Sequence, residues 1–152
     1  MNAVAIVTGA SQGIGRSTAI RMARDFASIV LAARNTSALE EVADAVKAAG
    51  AEPLVCDLDL SKAESAESLV KATVDRFGRI DAMLNIAGSV SQIDLSEMTD
   101  EQWRAGMELK LHGARRLTTL AWEALKESKF RSYLCPAAPR STRSRLRRRR
   151  HD

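Results

Sequence analysis

The chain has 152 residues, and its 23 lysines and arginines outnumber 19 aspartates and glutamates to give a formal net charge of +4. This length is typical of a single domain with one core, and no apolar run is long enough for a membrane span. The amino-terminal apolar run shows no cleavage pattern, so a cytoplasmic protein without a signal peptide is the default expectation. Two cysteines and two histidines without ligand spacing predict neither a disulfide nor a metal site.

A predicted strand over residues 3–7 leads directly into the glycine-rich turn 8–15 and a predicted helix over 14–24. A strand that stops at such a turn and restarts as a helix directs backbone N–H groups and the positive end of the helix dipole at one point. That point suits a phosphate group. A turn without any ligand is the alternative.

The turn has the spacing Gly-x-x-x-Gly-x-Gly, and each glycine has its own physical reason. Gly9 allows the turn, Gly13 lets the backbone approach a pyrophosphate, and Gly15 lets the helix pack closely on the strand. The turn alone is weak evidence, so the segments after it decide between the two interpretations.

Downstream, apolar runs of strand length alternate with segments of helical periodicity. Strands are predicted over 28–33, 52–56 and 80–86, and helices over 36–49, 61–77 and 99–129. Ser61 with Glu64 and Thr99 with Gln102 have the spacing of capping boxes at two helix starts. The alternation indicates an α/β fold, a doubly wound parallel sheet with helices on both faces.

The carboxyl ends of parallel strands form one edge of the sheet, and ligands of such folds lie beyond that edge. The glycine turn is at this edge, and so are Arg34, Asp57 and Asn85, which end or follow predicted strands. One crevice therefore collects these polar residues and the turn.

Three motifs in this order resemble those of the short-chain dehydrogenase/reductases: TGASQGIG at 8–15, CDL at 56–58 and NIAG at 85–88. A weaker match, Trp103 followed by LKLHG, extends the resemblance to about residues 3–129. The resemblance implies a Rossmann-type sheet of strand order 3-2-1-4, truncated to about four strands, with a long helix after the fourth. It also implies NAD(P)-dependent hydride transfer on an alcohol or carbonyl compound.

The resemblance assigns a role to each motif. The turn would hold the cofactor pyrophosphate with Ile14 near the nicotinamide, and Asp57 would bond the adenine amino group. The residues after the fourth strand would close the sheet end against the adenosine ribose. The implied contacts are Gly9, Ser11, Gln12, Gly13, Ile14, Gly15, Arg34, Asn35, Asp57, Leu58, Asn85, Ala87 and Gly88. Taken singly, Asp57 is equally a solvated loop carboxylate, and Asn85 a turn residue bonded to its own backbone.

Cofactor choice depends on the residues at the end of the second strand. An NAD site usually has an acidic side chain there, but this chain has Ala33 followed by Arg34 and Asn35. A guanidinium suits the 2′-phosphate of NADP through charge-assisted bonds, and the resemblance also implies NADP rather than NAD. The alternative is that Arg34 is a surface residue without a ligand.

The groups that would use the cofactor are missing from the sequence. The family's acid is a tyrosine with a lysine four residues later and a serine upstream, whereas Tyr133 is followed four residues later by Ala137. Lys110 stands where the family has an asparagine, and it is either a substitute acting through a water or a surface or packing lysine. No catalytic residue is therefore assigned.

The segment 131–152 differs in composition from residues 1–130. It holds eight of the 23 basic residues and one acid, without apolar periodicity, which predicts a disordered tail instead of a fifth strand. Truncation or a frameshift explains it best, and a polybasic tail for nucleic acid is the alternative. Residues 1–130 are then an incomplete dinucleotide-binding domain.

Two further expectations follow for the whole chain. An uncovered fourth strand and the apolar stripe of the helix 99–129 predict self-association, as in the family's dimers and tetramers. The alternatives to an impaired NADP-dependent oxidoreductase are a noncatalytic dinucleotide-binding protein and, less favoured, a nucleic-acid-binding protein. No membrane association is expected.

Overall fold

The computed structural model describes residues 2–88 and 93–128, and the backbone of 131–134. Strands and helices alternate through most of this part, as the sequence predicts. The strands are β1 (Val4–Thr8), β2 (Ser28–Ala33), β3 (Glu52–Asp57), β4 (Ala82–Asn85) and β5 (Arg131–Leu134). The α-helices are α1 (Gly13–Met22), α2 (Thr36–Ala48), α3 (Ala63–Phe77), α4 (Asp100–Met107), α5 (Ala114–Leu120) and α6 (Trp122–Glu127), with a π-helical segment at Glu108–Gly113.

The strands form one parallel sheet in the order β3-β2-β1-β4-β5. The predicted order 3-2-1-4 and the Rossmann-type fold are confirmed. Arg131–Leu134 adds a fifth strand beside β4, with Leu84 opposite Tyr133. This strand corrects two expectations, that the sheet stops at four strands and that disorder begins at residue 131. The segment has no apolar alternation, so its pairing with β4 was not visible in the sequence.

Each face of the sheet carries its own apolar core. On one face α1 and α2 pack against the sheet, and Leu39 of α2 is fully buried in one cluster with Val7 and Leu31 of the strands. On the other face α3, α5 and α6 pack over Ile6, Met83 and their neighbours. The central strand β1 is buried along its whole length because it contributes to both cores. Its continuous apolar run is typical of a parallel strand covered on both sides.

The predicted capping boxes have different outcomes. At α4 the Thr99 hydroxyl accepts from the Gln102 N–H, and the Gln102 side chain accepts from the Thr99 N–H, so this box is confirmed. The box predicted at Ser61 is wrong. The Ser61 hydroxyl and N–H both donate to the Asp59 carboxylate, and α3 begins after Lys62 without a side-chain cap.

The single helix predicted over 99–129 is divided into α4, the π-helical segment, α5 and α6. Gly113, at the end of the π-helical segment, packs against the Leu60 carbonyl so closely that a Cβ would collide with it. A second break occurs at Ala121, between α5 and α6. The apolar spacing predicted the helical path but not these local changes in hydrogen bonding. Within the described ranges, no helix has the length and apolar character needed to cross a membrane.

Candidate functional site

The turn between β1 and α1 is fixed by two close backbone approaches. Gly9 has a φ of +69°, and a Cβ on it would lie 2.9 Å from the Ala87 Cα. A Cβ on Gly15 would collide with the Gly9 carbonyl oxygen. Glycine is therefore required at both positions, at Gly9 for conformation and space and at Gly15 for helix packing.

Gly13 differs from the other two glycines because its surroundings are open. Its φ is +54°, and among the described residues no atom outside its chain neighbours and its own helix lies within 4 Å of the place where a Cβ would be. The helix α1 starts here, and Gln12 at its N-cap makes no side-chain cap hydrogen bond. The first N–H groups of a helix have no acceptor inside it. This open helix end can accept an anion at close range.

Thr8 joins this turn to the segment after β4. Its hydroxyl oxygen accepts from the N–H groups of Ile86 and Ala87, at 3.0 Å each, and donates to the Leu84 carbonyl at 3.3 Å. Three polar backbone groups at the carboxyl end of β4 are satisfied by one side chain on β1. The motifs at 8–15 and 85–88 thus form one unit.

A cleft of about 490 Å³ lies at the carboxyl edge of the sheet between these motifs and the ends of β2 and β3. Its volume is in the usual range of small-molecule sites, roughly 300–1,000 Å³. Eleven of the sequence-predicted residues line it: Gly9, Ser11, Gln12, Gly13, Ile14, Gly15, Arg34, Asn35, Leu58, Ala87 and Gly88. The structure therefore brings most of the predicted site together.

Asp57 and Asn85 are not on the wall of the cleft. The Asp57 carboxylate accepts a hydrogen bond from the Thr36 hydroxyl at the start of α2. Asn85 is buried, and its side-chain amide donates to the Thr118 hydroxyl on α5 at 3.2 Å. In this structure Asp57 supports α2, and Asn85 ties β4 to α5.

Two of the lining residues have backbone or side-chain groups already engaged. The Asn35 side-chain oxygen caps α2 by accepting from the Ala38 N–H at 3.1 Å. The Leu58 N–H donates to the Ala33 carbonyl at 3.0 Å. Arg34, which also lines the cleft, is exposed and forms no ion pair within the described residues. Its guanidinium is the lining group most available to an anion.

The cleft is also lined by residues that the sequence analysis did not name as cofactor contacts. They are Ala32, Ala33, Ala38, Asp59, Leu60, Ile86 and Leu109. Asp59 is the only carboxylate among the lining residues. Hydrogen bonds from Ser61 lower the pKa of Asp59, with smaller contributions from the charges of Arg34 and Lys62, so it is ionised at neutral pH. It directly follows the CDL motif, and no local pattern in the sequence distinguishes it from a surface aspartate.

Lys110 lies beside the cleft, against Gly88. A Cβ on Gly88 would be 3.1 Å from the Lys110 ammonium nitrogen and 3.6 Å from its Cδ. The lysine belongs to the π-helical segment, and it is half-buried. This position fits both interpretations from the sequence, a packing lysine and a substitute that acts at the cleft.

Cys56 is the cysteine of the CDL motif, and it is buried at the end of β3. Burial raises the pKa of its thiol to about 11. The thiol is therefore protonated at neutral pH and is a packing residue, because the thiolate is the reactive form. The arginine-rich segment after residue 134 and the nucleic-acid hypothesis based on it lie outside the described residues.

Comparison with known proteins agrees with this arrangement. A family model described as short chain dehydrogenase matches residues 3–131. An uncharacterized oxidoreductase of Listeria innocua is 36% identical over 112 residues, which cover 74% of this chain and 45% of that relative. The chain thus spans less than half the length of this curated relative.

Two solved structures show the same fold. The chain matches an alcohol dehydrogenase from Thermococcus sibiricus, complexed with 5-hydroxy-NADP, with a TM-score of 0.80 and 34% identity over 86% of this chain and 56% of that one. It matches carveol dehydrogenase from Mycobacterium avium, in complex with NAD, with a TM-score of 0.75 and 25% identity over 82% of this chain and 50% of that one. The motifs, the sheet order, the cleft and the family match agree: this chain belongs to the short chain dehydrogenase family of oxidoreductases.

Proposed function

We propose that the cleft binds NADP(H), as the cofactor site of an oxidoreductase acting on an alcohol or carbonyl compound. The observation that carries the proposal is the open backbone at Gly13, which leaves the N-terminus of α1 accessible to a pyrophosphate in the same cleft as Arg34. When bound, the cofactor supplies or accepts a hydride. The protein residues hold its phosphates and position its two halves along the sheet edge.

The preference for NADP over NAD rests on Arg34. The residue is exposed on the cleft wall after β2, where its guanidinium can make charge-assisted bonds to a 2′-phosphate. Asp59 lines the same cleft, and its negative charge lowers the positive potential around Arg34. The two side chains do not form an ion pair, so the N–H groups of the guanidinium stay available to a phosphate. We expect preference for NADP rather than exclusion of NAD.

Replacing Arg34 tests this proposal. Arg34→Gln is expected to weaken NADP⁺ binding by about 10- to 100-fold, because a hydrogen bond to a charged group contributes roughly 1.5–3 kcal/mol. Binding of NAD⁺, which lacks the 2′-phosphate, is expected to change little. Both affinities are measured by calorimetric titration.

The matched control is Arg24→Gln, which removes the same charge at the opposite end of α1 from the cleft. It is expected to leave both affinities unchanged. Equal weakening of NADP⁺ and NAD⁺ by Arg34→Gln would contradict a contact with the 2′-phosphate. Failure of the unsubstituted protein to bind either nucleotide would contradict the function itself.

A second candidate function is dinucleotide binding without hydride transfer. One sequence observation favours it: the single tyrosine, Tyr133, is followed four residues later by Ala137, so the chain has no Tyr-x-x-x-Lys. Carbonyl reduction needs an acid to protonate the developing alkoxide. Measuring NADPH oxidation with carbonyl substrates separates the two functions, since both predict binding and only the first predicts turnover.

We also propose self-association through the helical region 99–129. Large apolar side chains on this path are exposed to solvent: Trp103, Leu111, Leu120 and Trp122. Exposed apolar surface of this extent is typical of an interaction site.

A further inference from the structure

We propose that the Lys110 ammonium makes the cleft bind the reduced dinucleotide, NADPH, more tightly than the oxidised form, NADP⁺. The inference rests on the proposed function and concerns the same cleft. Its physical basis is the ring charge: the nicotinamide ring carries a positive charge when oxidised and none when reduced. A fixed cation near the ring therefore opposes only the oxidised form.

The order of the strands places Lys110 on the side of the cleft that the nicotinamide would occupy. Arg34 follows β2 and Gly88 follows β4, and these strands flank β1 on opposite sides. A dinucleotide lies across the crevice where the strand order reverses. The family resemblance places Gly88 against the adenosine ribose, but the position of Arg34 on the opposite side of β1 puts the adenosine half there and leaves the nicotinamide half on the β4 side, at Gly88. The Lys110 ammonium lies against that residue.

The charge of Lys110 is not compensated by a neighbouring acid in the described ranges. No carboxylate there forms an ion pair with its ammonium, and the nearby carboxylate of Glu108 is paired with Arg116. Asp59 is held by hydrogen bonds from Ser61, and the cations whose charges lower its pKa are Arg34 and Lys62, not Lys110. Lys110 is also half-buried, so solvent screens its charge less than that of a fully exposed lysine.

Direct binding of the two redox forms tests the inference without any turnover. The dissociation constants of NADP⁺ and NADPH are measured for the unsubstituted protein, Lys110→Met and Lys110→Arg. Lys110→Met keeps the length of the side chain and removes its charge. It is expected to lower the ratio of the NADP⁺ constant to the NADPH constant by about fivefold, the size of a repulsion between partly screened charges several ångströms apart. Lys110→Arg is expected to retain the ratio.

Lys47→Met is the matched control. Lys47 is exposed in the last turn of α2, at the end of that helix farthest from the cleft. This substitution removes the same charge from the chain and is expected to leave the ratio unchanged. A fall in the ratio equal to that of Lys110→Met would overturn the inference, because net charge alone would then explain it.

Two further outcomes are distinguishable. If both forms lose affinity equally in Lys110→Met, the lysine contacts a phosphate or supports the fold, and the inference fails while the proposed function stands. If the unsubstituted protein binds neither form, both fail. The salt dependence of the unsubstituted protein is a second test. Raising the salt concentration from about 0.05 M to about 1 M is expected to reduce its preference for NADPH, because salt screens the charge of Lys110. An unchanged preference would overturn the inference.

Discussion

At the scale of single residues, Thr8 joins two strands of the sheet through its side chain. Its hydroxyl satisfies the N–H groups of Ile86 and Ala87 and the carbonyl of Leu84. The side chain is 1% exposed, so water has no access to replace these bonds. The family motif that begins with this threonine therefore includes a residue for joining β1 to β4 and not only residues for phosphate contact.

Thr8→Val keeps the shape of the side chain and removes its hydroxyl. We expect it to destabilise the protein by about 1–3 kcal/mol, because the half-buried Ala87 N–H loses its acceptor and the Ile86 N–H keeps only the Leu84 carbonyl, at 3.1 Å. Thr8→Ser keeps the hydroxyl and is expected to retain most of the stability. Urea unfolding followed by circular dichroism measures both variants, and equal stability of the two would contradict the proposed bonding.

The sequence predicted the residues of the cleft best where backbone geometry decides their identity. Glycine at 9 and 15 follows from conformation and packing, as the structure shows, whereas at Gly13 the structure shows a positive φ and open surroundings. Asp57 was harder to predict, because its carboxylate has a competing partner in Thr36 that only the folded chain brings near. Asp59 was missed because no local pattern distinguishes it from a surface aspartate.

At the scale of elements, the two capping sequences show what spacing alone establishes. Thr99 and Gln102 form their reciprocal bonds, whereas Ser61 bonds Asp59 in the loop before α3. Ser61 has an acceptor two residues upstream, and this local alternative competes with the cap. Two residues before Thr99, the position that corresponds to Asp59, the sequence has Glu97 instead of an aspartate.

Thr99→Ala is expected to destabilise the protein by about 0.5–2 kcal/mol, because the N–H of Gln102 loses its cap. Thr99→Ser keeps a capping hydroxyl and should remain close to the unsubstituted protein. Thermal unfolding measures the global effect, and hydrogen exchange at the Gln102 amide measures fraying of α4. An unaltered exchange rate in Thr99→Ala would contradict the role of the cap.

Elements whose apolar residues follow a clear strand or helix pattern were predictable from the sequence. Elements that depend on contacts with distant residues were not. The run at Ser28–Ala33 is found as predicted because both faces of β2 are covered. The strand Arg131–Leu134 depends on pairing with the distant β4, which local composition does not encode. The π-helical segment likewise depends on a tertiary contact, that of Gly113 with Leu60.

At the scale of the whole molecule, the apolar surface is unevenly distributed. The cores on the two faces of the sheet are fully packed, but the path from α4 to α6 leaves large side chains in solvent, with Trp103 55% exposed. β5 covers the β4 edge, which was expected to be open. The proposed self-association therefore rests on the helices and not on a strand edge.

Trp103→Glu tests this self-association. We expect the unsubstituted protein to have a mass above the 16.5 kDa of one chain at micromolar concentration and the variant to shift toward that mass, because a charge opposes burial of the surface. Sedimentation over a range of concentrations measures the mass. Leu95→Glu is the control, since Leu95 is 76% exposed but lies outside the helices. A monomer at all concentrations, or an equal effect of both variants, would contradict the proposal.

In the π-helical segment Glu108–Gly113, the number of residues determines which side chain lies at the edge of the cleft. A π turn holds one residue more than an α turn, so removing one residue there would restore regular α-helical bonding. The helices on the two sides of the segment, α4 and α5, would keep their facing, because the wide turn had absorbed the extra residue. The buried Leu117 would keep its place, while the side chains of the segment itself, Lys110 among them, would be redistributed around the helix at Gly88. A single-codon deletion can thus exchange the group at the edge of the cleft without altering any codon for the core.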